Sequence, residues 1–264
     1  MKISHLPNKF LSILLSRVSD FELARLERAV QSRTGKGWGG STTREEAIAV
    51  SAFVEKSQIK GIVALDIGAN LGNWSAEFQR VRPSASIIAF EPSKFAFDLL
   101  LNRFEKNERV QCINIGLGKE NCETYLYADV SGGGLGSLTK RRLEHFGINF
   151  EHAETIQLRT LDSWLNDEGK GIYPNILKMD VEGHELDVLI GATEALKYLQ
   201  IIQFEFGGCN IDTRSFFQDF WYFFAENNFD LYRITPKGVK LVESYSENDE
   251  IFRTTNYIAV RSTG

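Results

Sequence analysis

The sequence contains only three cysteines among 264 residues, and it has no long apolar run. Cys112, Cys122 and Cys209 are odd in number and are not spaced like zinc ligands, which argues against a disulfide framework and against structural zinc. We expect these cysteines to be reduced and buried. No apolar run approaches the roughly 20 residues that span a bilayer, so we expect no transmembrane segment and a cytoplasmic location.

Basic charge is also scarce in this chain. Lys and Arg number 30 against 35 Asp and Glu, which gives a net charge of −5, so we expect no nucleic-acid partner. We find no internal repeat and no low-complexity segment. With 43% hydrophobic and 25% charged residues, the composition is ordinary for a globular protein. The length suffices for one full-sized α/β domain with a modest extension.

The first 60 residues have a helical pattern and predict an N-terminal helical extension. Residues 10–15 form a short apolar run without a small-residue cleavage site after it, which argues against a signal peptide. A surface helix docked on the domain is favoured there, and peripheral contact with a membrane stays open. Asp20 is a candidate cap for the next helix, and Ser41 or Thr42 for the one after the glycine-rich residues 35–40.

From residue 61 to residue 264 the pattern changes to alternating strands and helices. Such alternation predicts βαβ units and a mostly parallel sheet buried on both faces, that is, an α/β fold. Strand-like segments fall at residues 62–65, 87–90, 110–114, 156–158, 176–179, 201–204, 229–232 and 256–260. Helices are predicted at residues 73–80, 94–106, 160–165, 184–197 and 216–224.

A polar, glycine-rich stretch interrupts this alternation at residues 129–154. Loops of that length often cover or bind a ligand, so we expect a lid or a binding segment. The basic residues 140–142 follow the glycines. They predict either a solvated helix face or a contact with an anionic part of a substrate.

Acidic and amide side chains stand where the predicted strands end. These residues are Asp66, Glu91, Asn114, Asp180 and Glu205. Ligands of open α/β sheets bind outside the carboxyl ends of the strands, so we expect a binding site along this edge. Glu205 either faces that site or is a simple strand-end acid.

The loop after the first strand differs from a dinucleotide-binding fingerprint. Asp66 stands where that fingerprint has its first glycine, and Gly68, Asn70 and Gly72 follow. A carboxylate repels a pyrophosphate and suits a ligand with an amino group or a cation, such as the methionine part of S-adenosylmethionine. The glycines allow the backbone to approach a ligand closely. The loop therefore predicts a cofactor site for S-adenosylmethionine.

The next strand ends supply further candidate cofactor contacts. Glu91 lies 23 residues after Gly68 and is placed to accept hydrogen bonds from two ribose hydroxyls. Asn114 begins a segment, residues 114–118, whose backbone either flanks an adenine ring or forms a plain turn.

Residues 178–185 place several ionisable groups in one strand-to-helix turn. Asp180, Glu182 and His184 are the candidate catalytic residues, because a histidine beside carboxylates is suited to act as a general base. Asp180, Glu182 and Glu205 are also possible oxygen ligands of a divalent metal such as Mg²⁺. A structural role for His184 at a helix N-terminus stays open, as does a helix-dipole role for Glu182.

In combination and order, these motifs resemble the FkbM family of methyltransferases over residues 61–206. The matching segments are residues 66–72 (DIGANLG), 90–92 (FEP), 114–118 (NIGLG), 160–162 (TLD), 177–185 (LKMDVEGHE) and 191–192 (GA), with the strand at residues 256–258 as a further likeness. The resemblance implies a Rossmann-like class I methyltransferase fold with a mostly parallel, seven-stranded sheet. It also implies transfer of a methyl group from S-adenosylmethionine to a hydroxyl of a small molecule or glycan, with sugars and secondary metabolites as typical acceptors.

The resemblance further assigns roles to residues. Asp66, Gly68, Asn70 and Glu91 would bind the cofactor. Asp180, Glu182 and His184 would lie at the reacting centre. For the proton acceptor we take His184 first and Asp180 second. Two rival functions are a nicotinamide-dependent oxidoreductase and a non-catalytic binding module.

Overall fold

In the computed structural model, residues 15–40 and 42–262 are described. Ser41 and nearly all of the predicted surface helix at residues 10–15 lie outside them. The helices are α1 (Asp20–Arg33), α2 (Thr43–Lys56), α3 (Asn73–Val81), α4 (Lys94–Phe104), α5 (Leu161–Asn166), α6 (Glu185–Ile190), α7 (Cys209–Thr213) and α8 (Phe217–Glu226). Short 3₁₀ helices span Glu144–Phe146, Ala195–Lys197 and Glu247–Asp249. No helix in the described part of the chain has the length and apolarity needed to cross a membrane.

Eight strands form the main sheet and three form a smaller one. The strands are β1 (Val63–Ile67), β2 (Ser86–Phe90), β3 (Val110–Ile113), β4 (Gly116–Leu117), β5 (Cys122–Ala128), β6 (His152–Arg159), β7 (Ile176–Met179), β8 (Ile201–Phe206), β9 (Phe229–Thr235), β10 (Gly238–Leu241) and β11 (Thr255–Arg261). The main sheet has the order β10-β9-β11-β8-β7-β1-β2-β3. Its β8-β7-β1-β2-β3 portion is parallel, and β11, β9 and β10 are antiparallel. The predicted Rossmann-like α/β fold is confirmed.

The main sheet has one strand more than the seven that the resemblance implies. β10 pairs with β9 across a tight turn at Pro236 and Lys237 and forms the edge of the sheet. All four of its residues are exposed, and the short alternation of Val239, Lys240 and Leu241 was not among the predicted strands. The seven expected strands are otherwise present.

Helices cover both faces of the sheet, as predicted. Successive strand residues point to opposite faces. In β1, Leu65 and Ile67 belong to a core with residues of α5, α6 and α8, whereas Ala64 belongs to a second core with residues of α2, α3 and α4. In β7, the same alternation places Leu177 and Met179 in the first core and Ile176 in the second.

The smaller sheet and the end of one helix differ from the sequence-based expectations. β5 and β6 pair antiparallel and frame the glycine-rich stretch, with β4 parallel to β6. The helix predicted at residues 184–197 ends at Ile190, because Gly191 packs against the chain at residue 118. A Cβ at Gly191 would lie 2.1 Å from the Gly118 carbonyl oxygen.

The predicted N-terminal extension supplies part of the core of the sheet. Ser19, not Asp20, caps α1, because its side chain accepts a hydrogen bond from the backbone N–H of Glu22 in a capping box. Helix α2 buries Ala47, Val50 and Phe53 against the sheet. The division of the chain into a helical extension (residues 1–60) and an α/β domain (residues 61–264) stays a prediction.

All three cysteines are free thiols. Cys209 is buried, and Cys112 and Cys122 are partly buried.

Candidate active site

Two neighbouring cavities open at the carboxyl ends of the parallel strands. We call the first the loop cavity; it has a volume of about 330 Å³ and is bounded by Gly68, Asn70, Glu91 and the glycines of residues 131–136. We call the second the acidic cavity; it has a volume of about 370 Å³ and lies beside the first, towards α2 and β11. At the sheet edge where the sequence predicts a binding site, the structure therefore has two adjoining cavities.

The loop after β1 brings backbone to the wall of both cavities. Gly68 has φ +72°, and a Cβ there would lie 1.9 Å from the carbonyl oxygen of Asp180, so no larger residue fits. Asn70 also has a positive φ of 47°, and its backbone N–H donates to Glu91 Oε2 at 2.8 Å. Both residues line both cavities, as expected for ligand-contacting positions.

Glu91 follows β2 and is held in place by backbone donors. Its Oε2 accepts from Asn70, and its Oε1 accepts from the Ser93 N–H at 2.9 Å. Burial raises the pKa of Glu91 to about 7, although these two hydrogen bonds and Lys178 oppose the shift. Each oxygen keeps capacity for a second hydrogen bond, so the carboxylate can accept from a pair of neighbouring hydroxyls in the loop cavity.

Asp66 lies beneath the loop and not in its ligand-facing surface. Its side chain is fully buried, with 0% exposure, and lines neither cavity. Ser75 Oγ donates to Asp66 Oδ2 at 2.7 Å, and Lys178 Nζ lies 3.0 Å from Asp66 Oδ1. Strand alternation turns the Asp66 side chain towards α3, away from the surface where the sequence placed it. Its charge instead balances that of Lys178.

Gly72 and Asn114 lie outside the cavity walls and pack or hydrogen-bond against the elements that form them. A Cβ at Gly72 would lie 2.5 Å from Phe104 and 2.6 Å from Leu100, so this glycine allows close packing of α3 on α4 and lines neither cavity. The Asn114 amide donates to the carbonyl oxygens of Glu91 at 2.8 Å and Pro92 at 3.0 Å. Neither of these two residues lines a cavity, whereas residues 115–117 line the loop cavity.

Asp180 occupies the junction of the two cavities. It lines both of them, and 44% of its side chain is exposed. Lys178 Nζ lies 3.8 Å from its Oδ2. Burial disfavours the charge on Lys178, but the neighbouring carboxylates of Asp66 and Asp180 outweigh that effect and raise the pKa of Lys178. Asp180 thus offers a carboxylate to whatever lies between the cavities.

Glu182 also lines both cavities but is bound by an arginine. Its backbone has φ +51°, and its Oε2 accepts from Arg141 Nη1 at 2.6 Å. Arg141 is 8% exposed and also contacts Asp212 at 3.4 Å. Burial and the charge of Asp180 raise the pKa of Glu182, and Arg141 opposes this shift. Arg141 is thus neither a solvated residue nor free to bind an anionic substrate, the two roles predicted for residues 140–142.

His184 is engaged on both sides of its ring. Nδ1 lies 2.8 Å from Asp187 Oδ2, and Nε2 lies 3.0 Å from Thr139 Oγ1. The side chain lines the loop cavity but not the acidic cavity. These contacts connect the turn to the glycine-rich stretch, and they match the structural alternative for His184 at the start of α6.

A row of polar side chains forms the wall of the acidic cavity. Glu46 Oε2 accepts from Gln203 Nε2, and Glu46 Oε1 accepts from Asn256 Nδ2, both at 2.7 Å. Gln203 Oε1 in turn accepts from the Trp74 indole N–H at 2.8 Å. Sequence reasoning missed Glu46 and Gln203 as site residues. The available signal was a polar residue at one face of otherwise apolar strands, as at Lys178 and Gln203.

Glu205 faces the acidic cavity. Its carboxylate makes no hydrogen bond or ion pair with the described residues, and it lines this cavity near the end of β8. Burial and the neighbouring charges of Asp180 and Glu182 raise the pKa of Glu205 well above its ordinary value. Of the two predicted orientations, the structure has the one that faces the site.

The acids of the site are not arranged as a metal centre. Within residues 15–40 and 42–262, no group of three or more His, Cys, Asp or Glu side chains is placed to hold a metal ion. The ligand set considered from the sequence, Asp180, Glu182 and Glu205, therefore lacks geometric support.

Comparison with known proteins adds curated relatives and a solved structure. The chain is 26% identical to the 2-O-methyltransferase NoeI of Sinorhizobium fredii over 153 residues, which cover 54% of this chain and 63% of NoeI. It is also 26% identical to the hexuronic acid methyltransferase AglP of Haloferax volcanii over 167 residues, 62% of this chain and 64% of AglP. Among solved structures, the plantazolicin methyltransferase BpumL has a TM-score of 0.47 and 10% identity over 94% of this chain and 93% of that one. The matches to NoeI and AglP span just under two thirds of those proteins.

A family profile covers the site itself. The methyltransferase FkbM domain profile matches residues 66–231, which is more than half of the chain. The match includes the loop after β1 and the turn at residues 178–185. The resemblance inferred from the motifs is confirmed: the chain belongs to the family of proteins with a methyltransferase FkbM domain.

Proposed function

We propose that this protein transfers a methyl group from S-adenosylmethionine to a hydroxyl of a sugar or glycan. Membership of the FkbM methyltransferase family supports the reaction class. The relatives named a 2-O-methyltransferase and a hexuronic acid methyltransferase support a sugar acceptor. The observation that carries the proposal is Glu91, fixed by two backbone N–H groups in the wall of the loop cavity.

The loop cavity fits S-adenosylmethionine better than a dinucleotide. Glu91 suits the two ribose hydroxyls, and the apolar side chains of Ile115, Leu117 and Leu158 suit an adenine ring. Among the described residues that line this cavity there is no Lys or Arg, whereas Glu91, Asp180 and Glu182 line it. This charge favours a cationic ligand and opposes a pyrophosphate, which argues against the nicotinamide-dependent alternative.

When bound, S-adenosylmethionine supplies the methyl group, whose bond to sulfur breaks with the electron pair left on sulfur as the acceptor oxygen binds the methyl carbon. Asp180 is the residue best supported as acceptor of the hydroxyl proton, because it lines both cavities and is partly exposed. Arg141 binds Glu182, and His184 is hydrogen-bonded on both ring nitrogens. Through these contacts, Glu182 and His184 hold the turn that carries Asp180 in position.

Titration calorimetry with S-adenosylhomocysteine tests the cofactor assignment. We expect Glu91→Gln to weaken binding by about tenfold or more, because one carboxylate oxygen becomes a donor that faces hydroxyl donors; hydrogen bonds to charged groups contribute about 1.5–3 kcal/mol. The matched control is Glu108→Gln, an exposed acid remote from the cavities, which should bind like the wild type. Binding of NADH without binding of S-adenosylhomocysteine would contradict the proposal.

Transfer activity separates an enzyme from a non-catalytic binding module. Labelled S-adenosylmethionine is incubated with the protein and glycan extracts, and the labelled product is identified. We expect label in an ether-linked methyl group on a sugar. Binding without any transfer would favour the binding module. Assays with and without a chelator test the divalent-metal variant, for which we expect no loss of activity.

A further inference from the structure

The acidic cavity adjoins the proposed methyl-donor site. It shares five lining residues with the loop cavity, namely Gly68, Asn70, Gly134, Asp180 and Glu182. An occupant of the acidic cavity therefore meets an occupant of the loop cavity at Asp180. This geometry suits the second substrate of a two-substrate reaction, whose reacting atom must lie next to the donor.

The ionisable side chains that line the acidic cavity are predominantly acidic. Four carboxylates line it: Glu46, Asp180, Glu182 and Glu205. Among the described residues of its lining, Lys178 is the one cation. That ammonium lies 3.0 Å from Asp66 and 3.8 Å from Asp180, so its charge is already balanced inside the protein. Arg141, the nearby arginine, is likewise balanced by Glu182 and Asp212.

The hydrogen-bonding capacity of this cavity is mainly that of an acceptor. Glu46 is fully engaged with Thr42, Gln203 and Asn256 and forms a fixed wall. Glu205 has no such partner among the described residues and presents its carboxyl group to the cavity. Burial, and then the neighbouring Asp180 and Glu182, raise the pKa of Glu205, and the same surroundings disfavour an anionic group of a substrate.

We propose that the acidic cavity is the acceptor site and that it takes a neutral or amino-bearing sugar and rejects a uronic acid. Glu205 offers its carboxyl group to the sugar hydroxyls, and the acidic lining, whose one cation is already paired, disfavours a sugar carboxylate. The inference rests on the proposed function, since it identifies the acceptor of the same reaction. It also separates this chain from its relative named for a hexuronic acid.

Three matched methyl glycosides test the proposal: a glucoside, a glucosaminide and a glucuronide. Binding of each to the full chain saturated with S-adenosylhomocysteine is measured by ligand-observed NMR titration, and methyl transfer is measured in parallel with labelled S-adenosylmethionine. We expect the glucoside or the glucosaminide to bind at least about tenfold more tightly than the glucuronide. Equal or tighter binding of the glucuronide would overturn the inference, as would the absence of binding by all three glycosides.

Glu205→Gln tests the residue-level part of the proposal. At a pH high enough to ionise Glu205, whose pKa is raised by burial and by the neighbouring acids, removal of its negative charge should narrow the preference for glucoside over glucuronide by about threefold or more. Affinity for S-adenosylhomocysteine should stay within about twofold. Glu226→Gln is the control, because Glu226 is exposed at the end of α8 and lines neither cavity. An unchanged preference in Glu205→Gln would contradict the role of Glu205.

The failure of this inference is distinguishable from failure of the proposed function. If wild-type protein does not bind S-adenosylhomocysteine, the donor assignment itself is wrong. If it binds S-adenosylhomocysteine and still accepts the glucuronide as well as the glucoside, only the acceptor class is wrong. A thermal melt of each variant shows whether a lost signal comes from unfolding.

Discussion

At the scale of single residues, Asp180 and His184 lie four positions apart in one turn but have different surroundings. Asp180 is partly exposed at the junction of two cavities. Among the described residues, the Lys178 ammonium at 3.8 Å is the one partner of its carboxylate. His184 contacts Asp187 and Thr139 through its two ring nitrogens. A base must reach the proton it removes, so geometry favours Asp180 over the histidine that sequence reasoning placed first.

We expect Asp180→Asn to lower kcat by about 100-fold or more, because general-base catalysis typically contributes about 10²–10⁴-fold. Affinity for S-adenosylhomocysteine should change by less than about threefold. His184→Gln keeps two hydrogen-bonding groups and should lower kcat by less than about tenfold. Steady-state kinetics with any accepted glycoside, together with calorimetry, gives both quantities. A larger loss in His184→Gln than in Asp180→Asn would restore His184 as the base.

The positions of the site acids could be predicted from the sequence, but their orientations could not. A strand end is visible in the sequence, and the carboxyl ends of parallel strands meet at one edge, so Glu91 and Asp180 were predictable. A shift of one residue along a strand reverses the face that a side chain points to, and Asp66, one residue before the end of β1, points away from both cavities. Glu46 lies outside the motifs and reaches the site only through the packing of α2.

At the scale of elements, the glycine-rich stretch forms one wall of the loop cavity and is joined to the turn at residues 178–185. Ser137 exchanges two backbone hydrogen bonds with Tyr127, and its hydroxyl donates to the Glu182 carbonyl oxygen at 2.9 Å. Gly132 has φ +67°, and a Cβ there would lie 2.3 Å from the Phe95 ring. The wall therefore depends on a glycine at a position where backbone and neighbour both exclude a side chain.

Gly132→Ala should weaken binding of S-adenosylhomocysteine by about fivefold or more, because both the positive φ and the contact with Phe95 displace the wall. The control is Gly147→Ala in the same stretch. Gly147 has nearly the same φ, +71°, but a Cβ there meets nothing within 4 Å, and it lines neither cavity. Both variants carry the backbone strain of roughly 1–2 kcal/mol, so calorimetry that shows equal affinities would rule out a specific role for Gly132.

Helix α2 is attached to the sheet by a buried polar network. Glu46 joins α2 to Gln203 in β8 and to Asn256 in β11. Sequence patterning predicted the helix and its apolar face, because those depend on local periodicity. It did not predict this attachment, because hydrogen bonds between residues 46, 203 and 256 depend on tertiary packing across the whole chain.

We expect Glu46→Ala to lower the free energy of unfolding by about 1–3 kcal/mol, because the buried amides of Gln203 and Asn256 lose their acceptor. Glu45→Ala is the matched control, since Glu45 is the exposed neighbour on the same helix; its effect should stay within about 0.5 kcal/mol. Urea unfolding followed by circular dichroism measures both. Equal stability of the two variants would show that the network contributes no net stabilisation.

At the scale of the whole molecule, the site gathers several acids whose pKa values burial raises. The pKa values of Glu91 and Glu185 are raised to about 7, and those of Glu46, Glu182 and Glu205 are raised as well. A folded state that binds protons more tightly than the unfolded chain loses stability as pH rises. We therefore infer that these buried acids, which line or adjoin the site, lower the free energy of unfolding once the pH is high enough to ionise them.

Glu185 allows this cost to be measured at one residue outside the two cavities. Its Oε1 accepts from the backbone N–H groups of Val181 at 3.0 Å and Gly183 at 3.3 Å, while its buried Oε2 has no partner among the described residues. Burial raises its pKa from 4.5 to about 7, with the two hydrogen bonds opposing the shift. Its contribution to stability is therefore fully present below pH 4.5 and is lost as pH rises through about 7.

Glu185→Gln cannot ionise and keeps an oxygen for both N–H donors, so it should lack this pH dependence. Between pH 5 and 8, the stability of the wild type relative to Glu185→Gln should fall by on the order of 2–3 kcal/mol, since one pKa unit corresponds to about 1.4 kcal/mol. Urea unfolding at several pH values gives the difference, in which the contributions of the other acids largely cancel. Parallel curves for the two proteins would mean that Glu185 is already ionised in the fold near pH 5, and that this acid does not contribute to the cost.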